Sequence, residues 1–270
     1  MAKGKVYASS KINLGLIIGP KRADGFHDLD SYFLRTALSD EIEYSLEKSD
    51  KTAVAIEGNE AYMKEGCVDL MEKAARLFSE RTGICFDLKL RIEKRIPSEA
   101  GLGGGSSDAA SVILLLGQHF GVDDSVLMGI GESTGSDVPF FISGFPAAHV
   151  GGRGDVIKEA KCPEKRKLVL IYPDEKVSTK GAFSRLDAIE REERRLPDSL
   201  SGKIERDSFP NDFELILDGK MERFLSSIVV PGDYYSLSGS GSTWFILTDN
   251  EHYYPEKLKG RCSFFITSIV

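Results

Sequence analysis

Apolar residues occupy every second position from Ile84 to Ile92: Ile84, Phe86, Leu88, Leu90 and Ile92 alternate with Cys85, Asp87, Lys89 and Arg91. That period predicts a half-buried strand, closed by Pro97. The same period runs through "DEIEYSLE" (40–47), which puts Ile42, Tyr44 and Leu46 on one face. "VYASSKINLGLIIG" (6–19) is β-branched and apolar enough for a long strand. Between Asp69 and Glu80 the spacing changes to Leu70, Ala74 and Leu77, a helical stripe with Gly83 as its stop. Helical patterns follow the glycine cluster at 101–105 and recur near "DDSVLMGIGES" (123–133). Later, "LVLIYP" (168–173) reads as a buried strand and "GAFSRLDAIEREERRL" (181–196) as a charged helix whose "EREERR" run is a solvated face. A strand pair flanks "SLSGSGSTWFILT" (236–248), and "CSFFITSIV" (262–270) supplies a final strand. Strands and helices alternate without regular βαβ spacing, which argues for an α+β fold. The glycine-rich and then charged stretch at 151–165 places a division there, into 1–155 and 156–270.

Composition narrows the classes. Of 270 residues, 41% are hydrophobic and 29% charged, an ordinary globular profile long enough for two domains. A net charge of −7 argues against a nucleic-acid partner bound through phosphate neutralisation, while leaving room for an anionic small molecule at a local site. Cys67, Cys85, Cys162 and Cys262 are widely spaced, so neither a zinc site nor a disulfide framework is expected, which suits a cytoplasmic protein. No apolar run is long enough to cross a bilayer, and no membrane partner is expected.

The chemistry concentrates at "IPSEAGLGGGSSDAASVILLLGQHFG" (96–121). Four glycines, Gly101, Gly103, Gly104 and Gly105, stand directly against a helix start. A helix N-terminus carries unpaired N–H groups and a partial positive charge, and glycines allow close backbone approach to an anion. Ser106 and Ser107 add hydroxyls at the first turn. The stretch is not a Walker A loop, because no lysine precedes the serines, and it is not a dinucleotide fingerprint, because Ser106 stands where the third glycine belongs. A flexible linker rarely sits between a strong strand and a strong apolar helix, so a polyphosphate is the favoured ligand. Two further segments have ordinary explanations singly: Lys11 and Asn13 on an apolar strand, and Asp137 before Val138-Pro139.

Taken together, "SKINLGL" (10–16), "AGLGGGSSDAA" (100–110), "GSDVPFF" (135–141) and "LSGSGSTWF" (237–245) resemble, in order, the motifs of the galactokinase, homoserine kinase, mevalonate kinase and phosphomevalonate kinase (GHMP) superfamily. Within it, "RADGFHDLDSYF" (22–33), "YPDEKVSTKGAF" (172–183) and "FPNDFE" (209–214) are similar to segments of the branch that phosphorylates the 2-hydroxyl of 4-diphosphocytidyl-2-C-methyl-D-erythritol in non-mevalonate isoprenoid synthesis.

The resemblance implies a two-domain α+β fold, its N-terminal domain like the second domain of ribosomal protein S5 and its C-terminal domain ferredoxin-like. It implies ATP along Ala100, Gly101, Leu102, Gly103, Gly104, Gly105, Ser106, Ser107 and Asp108, accompanied by Mg²⁺ with unassigned ligands. Asp137 would accept the substrate hydroxyl proton, and Lys11 would favour its charged form and stabilise charge near the transferring group. Phe26 and Phe183 would stack on the cytosine and His27 would hydrogen-bond it, with Asn13 and Thr179 as further substrate contacts. His119, His149 and His252 carry no motif and read as structural. The alternatives are another GHMP small-molecule kinase, acting on mevalonate, homoserine or a sugar, and a non-catalytic ligand-binding relative; monomer and homodimer both stand.

Three departures bear on this reading. Ser9-Ser10 replaces the family's Pro-Ala, and Phe26 replaces a tyrosine, keeping stacking and losing a hydroxyl. Ser98-Glu99 stands where small residues precede the loop, so Glu99 is expected to point outward, away from phosphates that would repel it.

Overall fold

The computed structural model describes residues 1–59, 70–163, 167–173, 178–200 and 204–270. The chain forms two compact units, each assembled from separate stretches: 1–10, 38–98 and 103–144 in the first, and 11–37, 99–102 and 145–270 in the second. Two long strands, β1 (Ala2–Lys21) and β2 (His27–Lys48), contribute residues to both.

In the first unit, β4 (Phe86–Glu93) lies antiparallel to β2, with Ile42 opposite Ile92 and Leu46 opposite Leu88. Strand β3 (Ala53–Gly58) runs parallel to β4. The alternation buries Phe86, Leu88, Leu90 and Ile92, as their spacing predicts, and Ile84 falls just outside the strand. Helix α1 (Leu70–Thr82) ends at Gly83, whose φ of 71° is the left-handed stop. Its buried face is Met71, Ala74, Ala75 and Phe78, one position round from the expected Leu70–Ala74–Leu77 stripe. The reason is aromatic packing: Phe78 meets the edge of Phe86 at 6.1 Å, and Phe86 stacks on Phe120 at 5.9 Å. Each such ring contributes roughly 1.5–3 kcal/mol by leaving water. Asp69, the expected helix start, lies outside the described residues. Helices α2 (Gly104–Phe120), α3 (Asp124–Thr134) and α4 (Val138–Ile142) complete the unit.

The second unit pairs residues 29–34 of β2 with β5 (Ala147–Gly152), and β5 with β6 (Val156–Glu159). It also holds an antiparallel sheet of order β10-β7-β9-β8, from β7 (Lys167–Tyr172), β8 (Tyr234–Leu237), β9 (Trp244–Thr248) and β10 (Ser263–Ser268). Val169, Ile171, Trp244 and Ile246 from this sheet pack with Leu186 of α5 (Thr179–Leu186), Leu225 of α6 (Lys220–Ile228), and Tyr254 and Leu258 of α7 (Tyr254–Leu258).

Two expectations change. The division at 155/156 falls inside a hairpin, where Gly151 pairs with Val156 across a tight turn closed by Gly154 N–H to the Gly151 carbonyl at 3.0 Å. The glycines there serve positive φ angles, 62° at Gly152 and 105° at Gly154, rather than a linker. The helix expected over 181–196 ends at Leu186, and the charged run beyond it is irregular. Two of its arginines are bound, while the other four charges of the run are exposed: Arg191 donates to the Ile18 carbonyl at 2.7 Å and to Asp212 at 3.0 Å, and Arg194 donates to Asp212 at 2.5 Å. Among the described residues, no helix is long and apolar enough to cross a membrane.

Candidate active site

In the first unit, Gly103 takes a left-handed φ of 69° as the cap of α2, and Ser107 N–H bonds back to its carbonyl at 2.9 Å. The N–H groups of a first helical turn lack intrahelical partners. A methyl group on Gly135 would stand 4.0 Å from Ser106 Oγ, so the "GSD" segment adjoins the start of α2. Asp137 is half-buried at the head of α4, and its carboxylate is not spent on capping that helix.

Behind the turn lies a buried charge cluster. Lys94 Nζ donates to Asp40 at 2.6 Å and to Asp108 at 2.8 Å, and all three side chains are at most 5% exposed. The other Asp40 oxygen accepts the N–H groups of Arg95 at 2.5 Å and Ile96 at 2.8 Å. Among the described residues, Asp108 Oδ1 has no hydrogen-bond partner. Burial, reinforced by Asp40, pushes the Asp108 carboxyl up to about 8 against the opposing pull of Lys94. On Lys94, burial disfavours the charge, but the two carboxylates outweigh it and its pKa stands above the usual lysine value. Asp108 is therefore buried in α2 and bonded to Lys94. Neither Asp40 nor Lys94 stands out in sequence, because 54 residues separate them and each resembles an ordinary strand-end charge.

In the second unit, three motifs meet. Lys11 N–H donates to the Leu102 carbonyl at 2.9 Å, Asn13 N–H to Ser238 Oγ at 3.3 Å, and Ser238 Oγ to the Gly101 carbonyl at 2.9 Å. Thr243 N–H closes on the Ala100 carbonyl at 3.2 Å. "SGSGS" (238–242) is thus packed against Ala100–Leu102 and not merely a turn between strands. Lys11, 3% exposed, donates Nζ to Asn13 Oδ1 at 2.6 Å and lies 4.6 Å from the Phe33 ring centre. Asn13 Nδ2 donates in turn to Ser31 Oγ at 3.0 Å. Asn211, within the "FPNDFE" segment, holds the glycine-rich turn by donating to the Leu237 and Gly239 carbonyls, each at 2.9 Å. Thr179 meets Ser240 at 2.9 Å. Glu99 is exposed at a φ of 54°.

The two rings expected to face one another across a base take different partners. Phe183 stacks on His27 at 5.2 Å and meets the edge of Phe213 at 5.0 Å. Phe26 is 56% exposed, with the Arg153 guanidinium 5.0 Å from its centre. His27 is buried, its Nδ1 3.0 Å from the Gly19 carbonyl and its Nε2 3.3 Å from Asp187. Asp187 was not singled out by any sequence pattern. Of the histidines without motifs, His149 is structural, stacked on Tyr32 at 4.7 Å and 2.6 Å from Asp30.

Residues 69–145 match the family model for the GHMP kinases N terminal domain. A 4-diphosphocytidyl-2-C-methyl-D-erythritol kinase of Methylacidiphilum infernorum (isolate V4) is 34% identical over 255 residues, 91% of this chain and 86% of that protein. The chain belongs to this GHMP kinase family. A second family member, from Anaeromyxobacter sp. (strain Fw109-5), is 36% identical over 88% of this chain and 80% of its own length. Among solved structures, a 4-(cytidine 5'-diphospho)-2C-methyl-D-erythritol kinase superposes with a TM-score of 0.79 at 26% identity, covering 98% of both chains. A homoserine kinase from Cytophaga hutchinsonii superposes at 0.68 with 15% identity, over all of this chain and 95% of its own, which shows the shared α+β fold alone.

Proposed function

We propose that this protein transfers the terminal phosphoryl group of ATP to the 2-hydroxyl of 4-diphosphocytidyl-2-C-methyl-D-erythritol, in the non-mevalonate route to isoprenoid precursors. The observation that carries this reading is identity of about one third, over nine-tenths of the chain, to relatives bearing that one name.

The chain's own residues suit ATP. The turn from Gly103 to Ser107 offers backbone N–H groups at the start of α2, where an anion is favoured by unpaired donors and the helix dipole. Asp108 belongs to the same set through Lys94, supporting the turn from beneath. Phosphoryl transfer passes through a loose transition state, so placing the hydroxyl in line and neutralising charge matter more than a strong base. In this reading Asp137 accepts the hydroxyl proton and Lys11, fixed by Asn13, stabilises charge near the transferring group. Among the described residues, no three carboxylate, histidine or cysteine side chains cluster as a metal site. Mg²⁺ would accompany the ATP phosphates, which usually leave it only one or two protein ligands, and those ligands stay unassigned. When bound, the ion would neutralise phosphate charge.

For the base, His27, Phe183 and Phe26 remain the assigned contacts, with Asn13 and Thr179 toward the rest of the substrate. Phe183 and His27 already form one stack, so the base would slide over a ring that is held in place. The negative net charge and the absence of a basic motif favour small molecules over nucleic acid or membrane as partners, in a cytoplasmic monomer or homodimer.

The test is release of ADP from Mg-ATP with 4-diphosphocytidyl-2-C-methyl-D-erythritol, set beside mevalonate, homoserine and galactose. Turnover with the cytidylated alcohol alone is expected; turnover only with another acceptor would remove the substrate assignment. Asp137→Asn should lower kcat by about 10²–10⁴-fold, the range of a general base, and an unchanged kcat would remove its catalytic role.

A further inference from the structure

The stack of Phe183 on His27 has a carboxylate at its edge. Asp187 follows α5 directly, and its N–H donates to the Phe183 carbonyl at 2.9 Å, which places it one helical turn beyond that ring. Phe183 lies on the face of His27 at 5.2 Å, while Asp187 Oδ1 stands 3.3 Å from His27 Nε2. All three residues belong to the second unit.

Hydrogen bonding fixes the donors and acceptors at this edge. His27 Nδ1 lies 3.0 Å from the Gly19 carbonyl, and a carbonyl only accepts, so Nδ1 carries the proton of the neutral ring. His27 Nε2 is then an acceptor that faces a second acceptor, Asp187 Oδ1, with no hydrogen between them. The other Asp187 oxygen is 3.8 Å from the Lys21 ammonium, beyond hydrogen-bond length, and that lysine side chain is 60% exposed. The Asp187 side chain is itself 31% exposed, so this pair of acceptors opens to the outside on the carboxylate side. Two adjoining acceptors short of a donor suit a ligand group that brings N–H bonds.

The base of the substrate carries such a group. Cytosine presents an exocyclic amine with two hydrogens, and uracil presents a carbonyl oxygen at the same position. Stacking on Phe183 or Phe26 does not separate the two, because every base has a π-face. A carboxylate does: it accepts from the amine and repels the carbonyl oxygen. We infer that Asp187, beside His27 Nε2, accepts the exocyclic amine of the base and sets the preference for cytosine over uracil. This inference rests on the kinase reading and adds to it a specificity-determining residue that no motif contains.

The experiment is steady-state kinetics of the full chain at saturating Mg-ATP, with the cytidylated alcohol and with its uridylated counterpart. The unaltered protein should favour the cytidylated substrate by about 10–100-fold in kcat/KM, the discrimination given by a well-placed set of base contacts. The difference should appear in KM, since the base contact is the same in the ground and transition states. Asp187→Asn keeps one acceptor oxygen and adds an amide N–H that can meet the uracil carbonyl, so it should erase the preference by improving the uridylated substrate. Asp187→Ala should erase it by weakening the cytidylated substrate alone. Asp187 is exposed just past the end of α5, so both variants should keep the Tm of the unaltered protein.

An Asp187 that only braces His27 through an ion pair would raise KM for both substrates alike. An unchanged ratio in the two variants would therefore overturn the assignment. Equal kcat/KM for the two substrates in the unaltered protein would overturn it without any variant. Turnover of neither, or of mevalonate, homoserine or galactose instead, would overturn the kinase reading itself, an outcome distinct from equal turnover of both.

Discussion

Gly101 and Gly104 stand three residues apart in one glycine-rich stretch, and their surroundings differ. Gly101 has a φ of 75°, and a methyl group there would sit on the Ser238 carbonyl, 2.9 Å from its carbon. Its neighbours are backbone, which cannot move aside. A methyl group on Gly104 would meet two side chains, Ile96 at 3.0 Å and the Lys94 ammonium at 3.2 Å. One half of the loop is therefore held by tight uncharged packing in the second unit, and the other by buried charge in the first. A sequence motif that looks uniform serves two different physical constraints, and a substitution should separate them.

The largest expected effect comes from the charged half. Asp40→Ala removes the acceptor for two backbone N–H groups and for Lys94 at a site with no exposure. Breaking a buried ion pair by deleting one partner costs about 3–5 kcal/mol. Urea unfolding followed by circular dichroism should show a loss of that size; a loss below 1 kcal/mol would mean that the cluster does not hold this half together. pH sharpens the point. Asp108 has a folded pKa raised from 3.8 to about 8, so the folded state binds the extra proton. Its contribution to stability is full below 3.8 and is lost as pH rises through about 8. Asp108→Asn should flatten that part of the stability profile between pH 5 and 9.

The uncharged half should respond without such pH dependence. Gly101→Ala combines a left-handed backbone, costing about 1–2 kcal/mol for a residue with a Cβ, and an overlap with fixed backbone, costing about 1–3 kcal/mol. A total near 2–5 kcal/mol is expected, equal at pH 6 and pH 9 and indifferent to salt. A strong dependence on either would show that charge reaches this half of the loop as well.

Legibility from sequence divides along similar lines. Strand β4 is plain in its alternation, because one face is buried and the other wet along its whole length. The C-terminal end of α1 and the existence of α2 follow from Gly83 and Gly103. Helix 181–196 is not legible, since its charged half leaves the helix to satisfy Asp212 and the Ile18 carbonyl, partners that no local period reveals. Glycine-loop residues, Lys11 and Asp137 were visible as motifs. Lys94, Asp40 and Asp187 were not, because what distinguishes each is a partner distant in the chain or across a sheet, and the hold of Asn211 on the glycine-rich turn is equally hidden although its segment is a motif. The stretch at 151–155 shows the converse error: glycines that look like a linker close a hairpin.

The smallest effect on stability is also the most discriminating. Gly104 opens α2 with no left-handed φ, and alanine there gains about 1 kcal/mol of helix propensity over glycine. Against that, Ile96 and Lys94 must each give way by a few tenths of an ångström, so Gly104→Ala should change stability by less than about 1 kcal/mol, or roughly 2–4 °C in Tm. The methyl group points inward at the lysine, away from any ligand outside the turn. If the glycine is there to make room for Lys94, the variant should weaken ATP about tenfold at nearly unchanged Tm, by pushing the ammonium off its two carboxylates. Gly105 supplies the control: it is exposed, and a methyl group on it would meet only Leu70 at an ordinary 3.6 Å. Gly105→Ala can affect ATP only by crowding the ligand directly. Weak ATP binding in Gly105→Ala with normal binding in Gly104→Ala would assign the glycines of this half to phosphate approach alone; the reverse would assign Gly104 to the charge beneath it.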